Sequence, residues 1–179
     1  MLTALIFVAA LAVNSFAQTG APTAAQRAPS KPARPFLVRP AQTLADLAGQ
    51  LPENKVEELF GGEGQQLRVA VQHDKDKPAG AAEVHDASDD IYYVVEGSAT
   101  LTLGGRLDAP REVQPGEWRA PHIVGGQAFE IGKGDLIVVP RGTPHQRSTA
   151  GKDFKMILIK IFAEPVHTAP PPASKERAR

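Results

Sequence analysis

The sequence contains no cysteine. That excludes disulfides, thiolate zinc sites, cysteine nucleophiles and a lipoprotein anchor, while leaving the redox compartment open. It has no surplus of charge either: 20 lysines and arginines stand against 20 acidic residues, for a formal net charge of zero. A neutral chain offers no electrostatic case for nucleic acid or for an anionic membrane surface. The apolar run at residues 2–13 is 12 residues long and uncharged, too short for a comfortable membrane span. No glycine pair stands in a strand–GxGxxG–helix setting, and there is no Gly-x-Ser-x-Gly elbow. Neither a dinucleotide site nor an activated serine is supported.

The 12-residue run is followed by Ser15-Phe16-Ala17, a small-x-small cleavage site. Residues 1–17 therefore read as a secretory signal peptide, and the protein as exported, either secreted or periplasmic. The Met-Leu-Thr start lacks the usual basic residue, which leaves an upstream start or an uncleaved anchor as alternatives. Residues 18–40 are rich in Pro and Ala and read as a flexible linker. Residues 41–65 read as a helical lead-in. One short helix is expected over 43–51, capped by Thr43, and a second over 52–60, starting on Pro52. With 179 residues in all, one domain with a real core remains after these segments.

From Leu67 the apolar period becomes two, the signature of strands. Strands are expected over 67–72, 81–85, 91–95, 99–103, 128–131, 135–139, 146–149 and 154–162, with a charged turn at 73–77. Short strands separated by turn residues suit an antiparallel sandwich or barrel. Residues 106–126 hold Pro110, Pro115 and Pro121 and read as a polar flap outside the sheet. Residues 166–179, with three consecutive prolines, read as a disordered tail.

The chemistry concentrates in residues 80–97, Gly-Ala-Ala-Glu-Val-His-Asp-Ala-Ser-Asp-Asp-Ile-Tyr-Tyr-Val-Val-Glu-Gly. Side chains two apart on a strand share a face, so Glu83 and His85 point the same way, as do Asp90, Tyr92 and Val94. A bend between the two groups brings Asp90 beside His85. Two carboxylates and an imidazole, with a further donor, make a site for a first-row metal. His145, after the strand and Pro140-Arg-Gly142 turn, is the candidate donor. Without a cation, two such carboxylates repel, and one is expected to take up a proton.

Together these stretches resemble the cupin family, whose motifs run G-x5-H-x-H-x3,4-E-x6-G and G-x5-P-x-G-x2-H-x3-N. Gly134, Pro140, Gly142 and His145 fit the second motif, with Thr149 where it has Asn. His85 and Gly97 fit the first, with Asp90 in the Glu position and Glu83 in place of the first histidine. The resemblance covers roughly residues 66–162 and implies an all-β fold, a double-stranded β-helix or jelly-roll barrel over 66–165. It implies a divalent ion, whether iron, manganese, nickel or zinc, held in the barrel mouth by Glu83, His85, Asp90 and His145. A three-ligand set of His85, Asp90 and His145, with Glu83 as acid/base, is the alternative.

Two functions stay open: a metal-dependent oxygenase, isomerase or hydrolase acting on a small oxygen-bearing molecule, or a non-catalytic module for a small polar ligand or metal. The expected partners are a small-molecule ligand and, through an open sheet edge, a second copy in a homodimer. Tyr92 reads as core packing, with lining of the pocket on the Asp90 face as the alternative; Tyr93 reads as sheet packing, and Trp118 and Arg119 as anchors of the insertion. Lys160 reads as snorkelling from a strand end, with entry into the cavity as the alternative; His122 reads as a surface residue, with a place over the barrel mouth as the alternative, His73 as part of a charged turn and His167 as part of the tail. N-terminal sequencing of protein from its native source is expected to begin near Gln18. An intact Met1 on a soluble cytoplasmic protein would overturn export.

Overall fold

The structure is a computed structural model that describes residues 35–167. The leader, residues 18–34 of the linker and residues 168–179 of the tail lie outside the described residues. Helix α1 (Ala41–Gln50) opens directly after Pro40, whose carbonyl accepts from the Leu44 amide at 3.0 Å. Thr43, expected as its cap, sits inside it. Leu44, Leu47, Ala48 and Leu51 cluster with Leu59, Val71 and Val95, so the helix packs on the outer face of a sheet.

Twelve strands follow: β1 (Lys55–Phe60), β2 (Leu67–Lys75), β3 (Ala82–His85), β4 (Ser88–Leu103), β5 (Arg106–Leu107), β6 (Arg111–Gln114), β7 (Glu117–Ala120), β8 (Ile123–Val124), β9 (Gln127–Gly132), β10 (Leu136–Val139), β11 (His145–Ser148) and β12 (Asp153–Phe162). Ten of them form one antiparallel sheet in the order β1-β2-β12-β4-β11-β3-β7-β6, with β9 and β10 also paired to β4. The sheet folds over on itself as a jelly-roll barrel. Its core is Tyr92, Val94, Ala99, Leu101, Ile131, Val139, Phe154, Met156 and Leu158.

Strand β4 makes the fold-over. Its first half pairs with β10 and β12, its second with β9 and β11. The sequence reading divides this segment into two strands at Gly97, whereas the strand is continuous and only bends there. Gly97 has φ +76°, and a Cβ on it would lie 1.8 Å from the Asp153 carbonyl oxygen. No side chain fits such an approach.

Three further expectations are corrected. Residues 52–60 hold no helix: Asn54 turns the chain at φ 61°, and β1 pairs with β2 from Lys55↔His73 onward. Pairing with an available sheet edge outweighs the helical preference of a six-residue segment. Residues 73–75 are strand and not turn, because β12 pairs with β2 as far as Lys75. His73 is consequently buried; its Nδ1 lies 2.8 Å from the Leu51 carbonyl and its Nε2 3.0 Å from Asp153 Oδ1. Residues 106–126 are not a flap outside the sheet, since β6 and β7 extend it, while β5 and β8 form a separate ribbon.

Asp74 shows how the polar end of the interior is held. Buried at 3 % exposure, it accepts hydrogen bonds from Gln72 Nε2 (2.8 Å), Lys77 Nζ (2.6 Å) and an Arg147 Nη (2.6 Å). The Arg147 guanidinium also lies over the Tyr92 and Phe154 rings, 5.5 and 5.4 Å from their centroids. Burial pushes the Asp74 carboxyl up, but Arg147, Lys77 and Gln72 together hold it below its usual 3.8. A carboxylate depressed in the folded state stabilises the fold above its unfolded pKa, and that contribution is lost as pH falls through the folded value. Asp74→Asn is therefore expected to destabilise the protein at pH 7 by about 2–3 kcal/mol, below the cost of breaking a fully buried pair because Lys77 and Arg147 retain some solvent. The difference from wild type should shrink below about pH 4; thermal midpoints across that range check it.

Candidate metal centre

Three adjacent strands carry the site. Antiparallel register places His145 of β11 opposite Glu83 of β3, and Glu83 opposite Arg119 of β7. One row of side chains on one face therefore reads His145, Glu83, Arg119. Two residues further along β3, His85 stands opposite Glu117. Cross-strand partners lie within side-chain reach of one another, so the register by itself assembles the cluster.

The two imidazoles are held alike. His85 Nδ1 lies 2.7 Å from Glu117 Oε2, and His145 Nδ1 lies 2.9 Å from the Thr143 carbonyl. Both partners only accept, so each Nδ1 carries a proton and each Nε2 is the nitrogen turned to the interior. His145 Nε2 is buried and makes no hydrogen bond; Glu83 Oε1 is 3.5 Å away. His85 Nε2 lies 4.0 Å from Glu83 Oε2 and 3.6 Å from Asp90 Oδ2. One donor atom from each of Glu83, His85 and His145 falls within 4.8 Å of the others, and together they could hold a metal ion. An oriented imidazole whose far nitrogen is fixed by a carboxylate or carbonyl is the usual second shell of a metal-bound histidine. The arrangement fits a cation.

Asp90 stands beside this group without joining it. Its Oδ1 makes a 2.8 Å ion pair with Lys160 Nζ, and Tyr92 donates to its Oδ2 at 3.3 Å. Lys160 does not snorkel outward: its side chain is 11 % exposed and also reaches Ser88 Oγ at 3.2 Å. It follows Phe154, Met156 and Leu158 on the inward-facing parity of β12, and the buried Asp90 charge gives it a partner there.

The expected proton uptake by one carboxylate is corrected as well. Burial pushes Glu83 up, yet His145, Arg119 and His85 outweigh it and hold it below 4.5. Burial also pushes Asp90 up, and His85 with Lys160 brings it down to about 2. Cations of the chain itself neutralise the pair: Arg119 lies 3.0 Å from Glu83 Oε2, and Lys160 sits on Asp90.

Sequence reasoning missed Glu117 and the role of Arg119. Both fall in the segment read as a flap, and only the alternation Glu117, Trp118, Arg119, Ala120 hinted at a strand. Trp118 anchors β7, donating through Nε1 to Asp86 Oδ2 at 2.8 Å. Thr149, at the motif's Asn position, is buried and accepts from the Lys77 amide at 3.0 Å. His122 and His167 are exposed and pair with Asp108 and Glu63, each at 3.1 Å. Two cavities, of about 390 and about 150 Å³, both include Gln72, Glu83, Tyr92 and Arg147 in their walls. Space for a small ligand thus adjoins the three donors.

No family model matches the chain, and no curated protein matches it significantly. Among solved structures it is similar to a protein of Bacillus halodurans, with 21% identity over 78% of this chain and 88% of that one and a TM-score of 0.53. It is also similar to a cupin superfamily protein from Desulfitobacterium hafniense (19% identity, 74% and 94% covered, TM-score 0.45) and to KdgF from a Halomonas species (18%, 63% and 80%, 0.43). Likeness at this identity is one of fold. The chain has an all-β fold, a jelly-roll barrel with a short N-terminal helix.

Removing the Glu117 carboxylate is expected to release the His85 ring from its fixed tautomer. Glu117→Ala should weaken divalent-metal affinity about 10–100-fold without changing the circular dichroism of the fold. Titration with zinc or manganese measures this, and an unchanged affinity would show that β7 does not hold His85 for a cation.

Proposed function

We propose that this chain is an exported cupin that binds one divalent ion through Glu83, His85 and His145 and acts on a small oxygen-bearing ligand in the adjoining cavity. One observation carries the reading: two buried imidazoles have their Nδ1 positions tied to acceptors and turn both Nε2 atoms toward one carboxylate. Glu83, held below its usual range, is ionised at neutral pH, which suits a ligand better than a proton donor. Asp90, neutralised by Lys160, is placed to orient His85 and to accept a hydrogen bond from a bound ligand. Two histidines and a carboxylate match the open facial set of non-haem iron oxygenases and equally suit manganese, nickel or zinc. A bound ion would supply Lewis-acid or redox chemistry at its open positions. Around it the chain contributes Arg119 to orient Glu83, Glu117 to orient His85, and Tyr92 and Arg147 to the cavity wall. Export rests on residues 1–17, whose apolar run and small-residue site have the form of a leader.

His145→Ala should abolish stoichiometric metal, read by elemental analysis of protein purified without a metal-binding tag. Burial and Lys160 push the His85 imidazole down, but Asp90 and Glu117 outweigh them and leave it above 6.5. Since His85 must lose its Nε2 proton to bind a cation, loading should fall as pH drops through that raised value. Full metal content in the His145→Ala variant would overturn the ligand set. Oxygen uptake by the iron-loaded protein separates an oxygenase from a non-catalytic module, which would show none above free iron.

A further inference from the structure

Arg147 follows His145 by two residues on β11, so both side chains enter the interior from one face. Alternate positions on a strand stand about 7 Å apart, the span of a short carbon chain. Both cavities beside the three donors include Arg147 in their walls. One of its terminal nitrogens donates to Asp74 Oδ2 at 2.6 Å. The other, Nη1, finds no oxygen among the described residues and meets the Met156 sulphur at 3.6 Å, a weak acceptor. Charge leaves the same surplus. Asp74 is paired with two cations, Arg147 and Lys77, while Gln72 and Thr149 beside them are neutral. Glu83, the other carboxylate of that wall, is met by Arg119. One carboxylate against two cations leaves a positive charge uncompensated where Arg147 faces the cavity.

We infer that Arg147 anchors a carboxylate of the ligand, and that the ligand is a short-chain acid whose second oxygen function reaches the Glu83, His85 and His145 donors. The inference rests on the divalent-ion reading above. A carboxylate accepts from Nη1 far more strongly than a thioether does, and its charge takes up the surplus. A hydroxyl or an amide would satisfy the nitrogen and leave the charge unmet. The Tyr92 and Phe154 rings, with centroids 5.5 and 5.4 Å from the guanidinium carbon, hold its plane in place. A fork fixed in this way loses little freedom when an acceptor arrives. Met156 and Leu158 supply apolar wall for the carbons between the two ends. At about 390 Å³ the larger cavity stands at the small end of ligand pockets, which suits a short acid and excludes a polymer segment.

Titration calorimetry of the zinc-loaded full chain compares succinate, with a carboxylate at each end, and succinamate, with an amide at one end. Succinate should bind about 10–100-fold more tightly, the worth of one hydrogen bond to a charged group. Stripping the zinc should weaken succinate binding, because one end then loses its ion. In Arg147→Gln the preference for succinate should vanish while zinc stoichiometry stays at the wild-type value, since Arg147 is no metal donor. Should that variant lose its fold, Asp74→Asn combined with Arg147→Gln removes both charges of the pair and serves instead. Equal affinity for the two probes, or no binding of either, in a protein that holds zinc overturns the inference and leaves the metal reading standing. A preference that survives in the folded Arg147 variant gives the carboxylate to another cation and overturns it too. A wild type that takes up no zinc overturns the metal reading, and the inference with it.

Discussion

The site depends on strand β3 being gripped from both sides. It is only four residues long, and its two partners across the sheet, β11 and β7, supply His145, Arg119 and Glu117, whose side chains meet Glu83 and His85. An isolated strand of that length would hold no geometry. Between two neighbours its register is unique, because a slip by one residue would turn Glu83 and His85 to the opposite face. Metal-ligand geometry here is therefore a property of strand pairing before it is one of side-chain choice.

The charges of the interior follow the same economy of position. Each buried carboxylate has a cation of the chain within reach: Asp74 has Arg147 and Lys77, Asp90 has Lys160, and Glu83 has Arg119. A buried charge without a partner is costly, and these pairs remove that cost without needing a bound ion. What they do not satisfy is His145 Nε2, the one buried imidazole nitrogen left without a hydrogen bond among the described residues. That atom, more than the carboxylates, distinguishes a site built to receive a cation from a self-satisfied polar core. The alternation that points Asp90 and Tyr92 inward also turns Ile91 and Tyr93 outward. A functional interior and an apolar back are thus two consequences of one strand.

Much of this was legible in the residues alone. Period-two alternation marked most of the strands, the glycines and Pro140 marked the turns, and motif spacing placed Glu83, His85 and His145 on two separated segments of a cupin-like chain. These features are local: the pleat decides which side chains share a face, and Gly or Pro decides where a strand bends. Residues 52–60, 73–75 and 106–126 were misread for the complementary reason. Each has ambiguous local preference and becomes strand only because β2, β12 and β3 offer an unpaired edge. Partner identity was decided by tertiary structure alone: that Glu117 fixes His85, that Arg119 meets Glu83, and that Lys160 turns inward to Asp90. Those pairs join residues 32 to 70 apart, and no local rule states which strand will lie beside which. The sequence by itself determined the kinds of side chain and the faces they share, whereas strand order and register decided which charges meet.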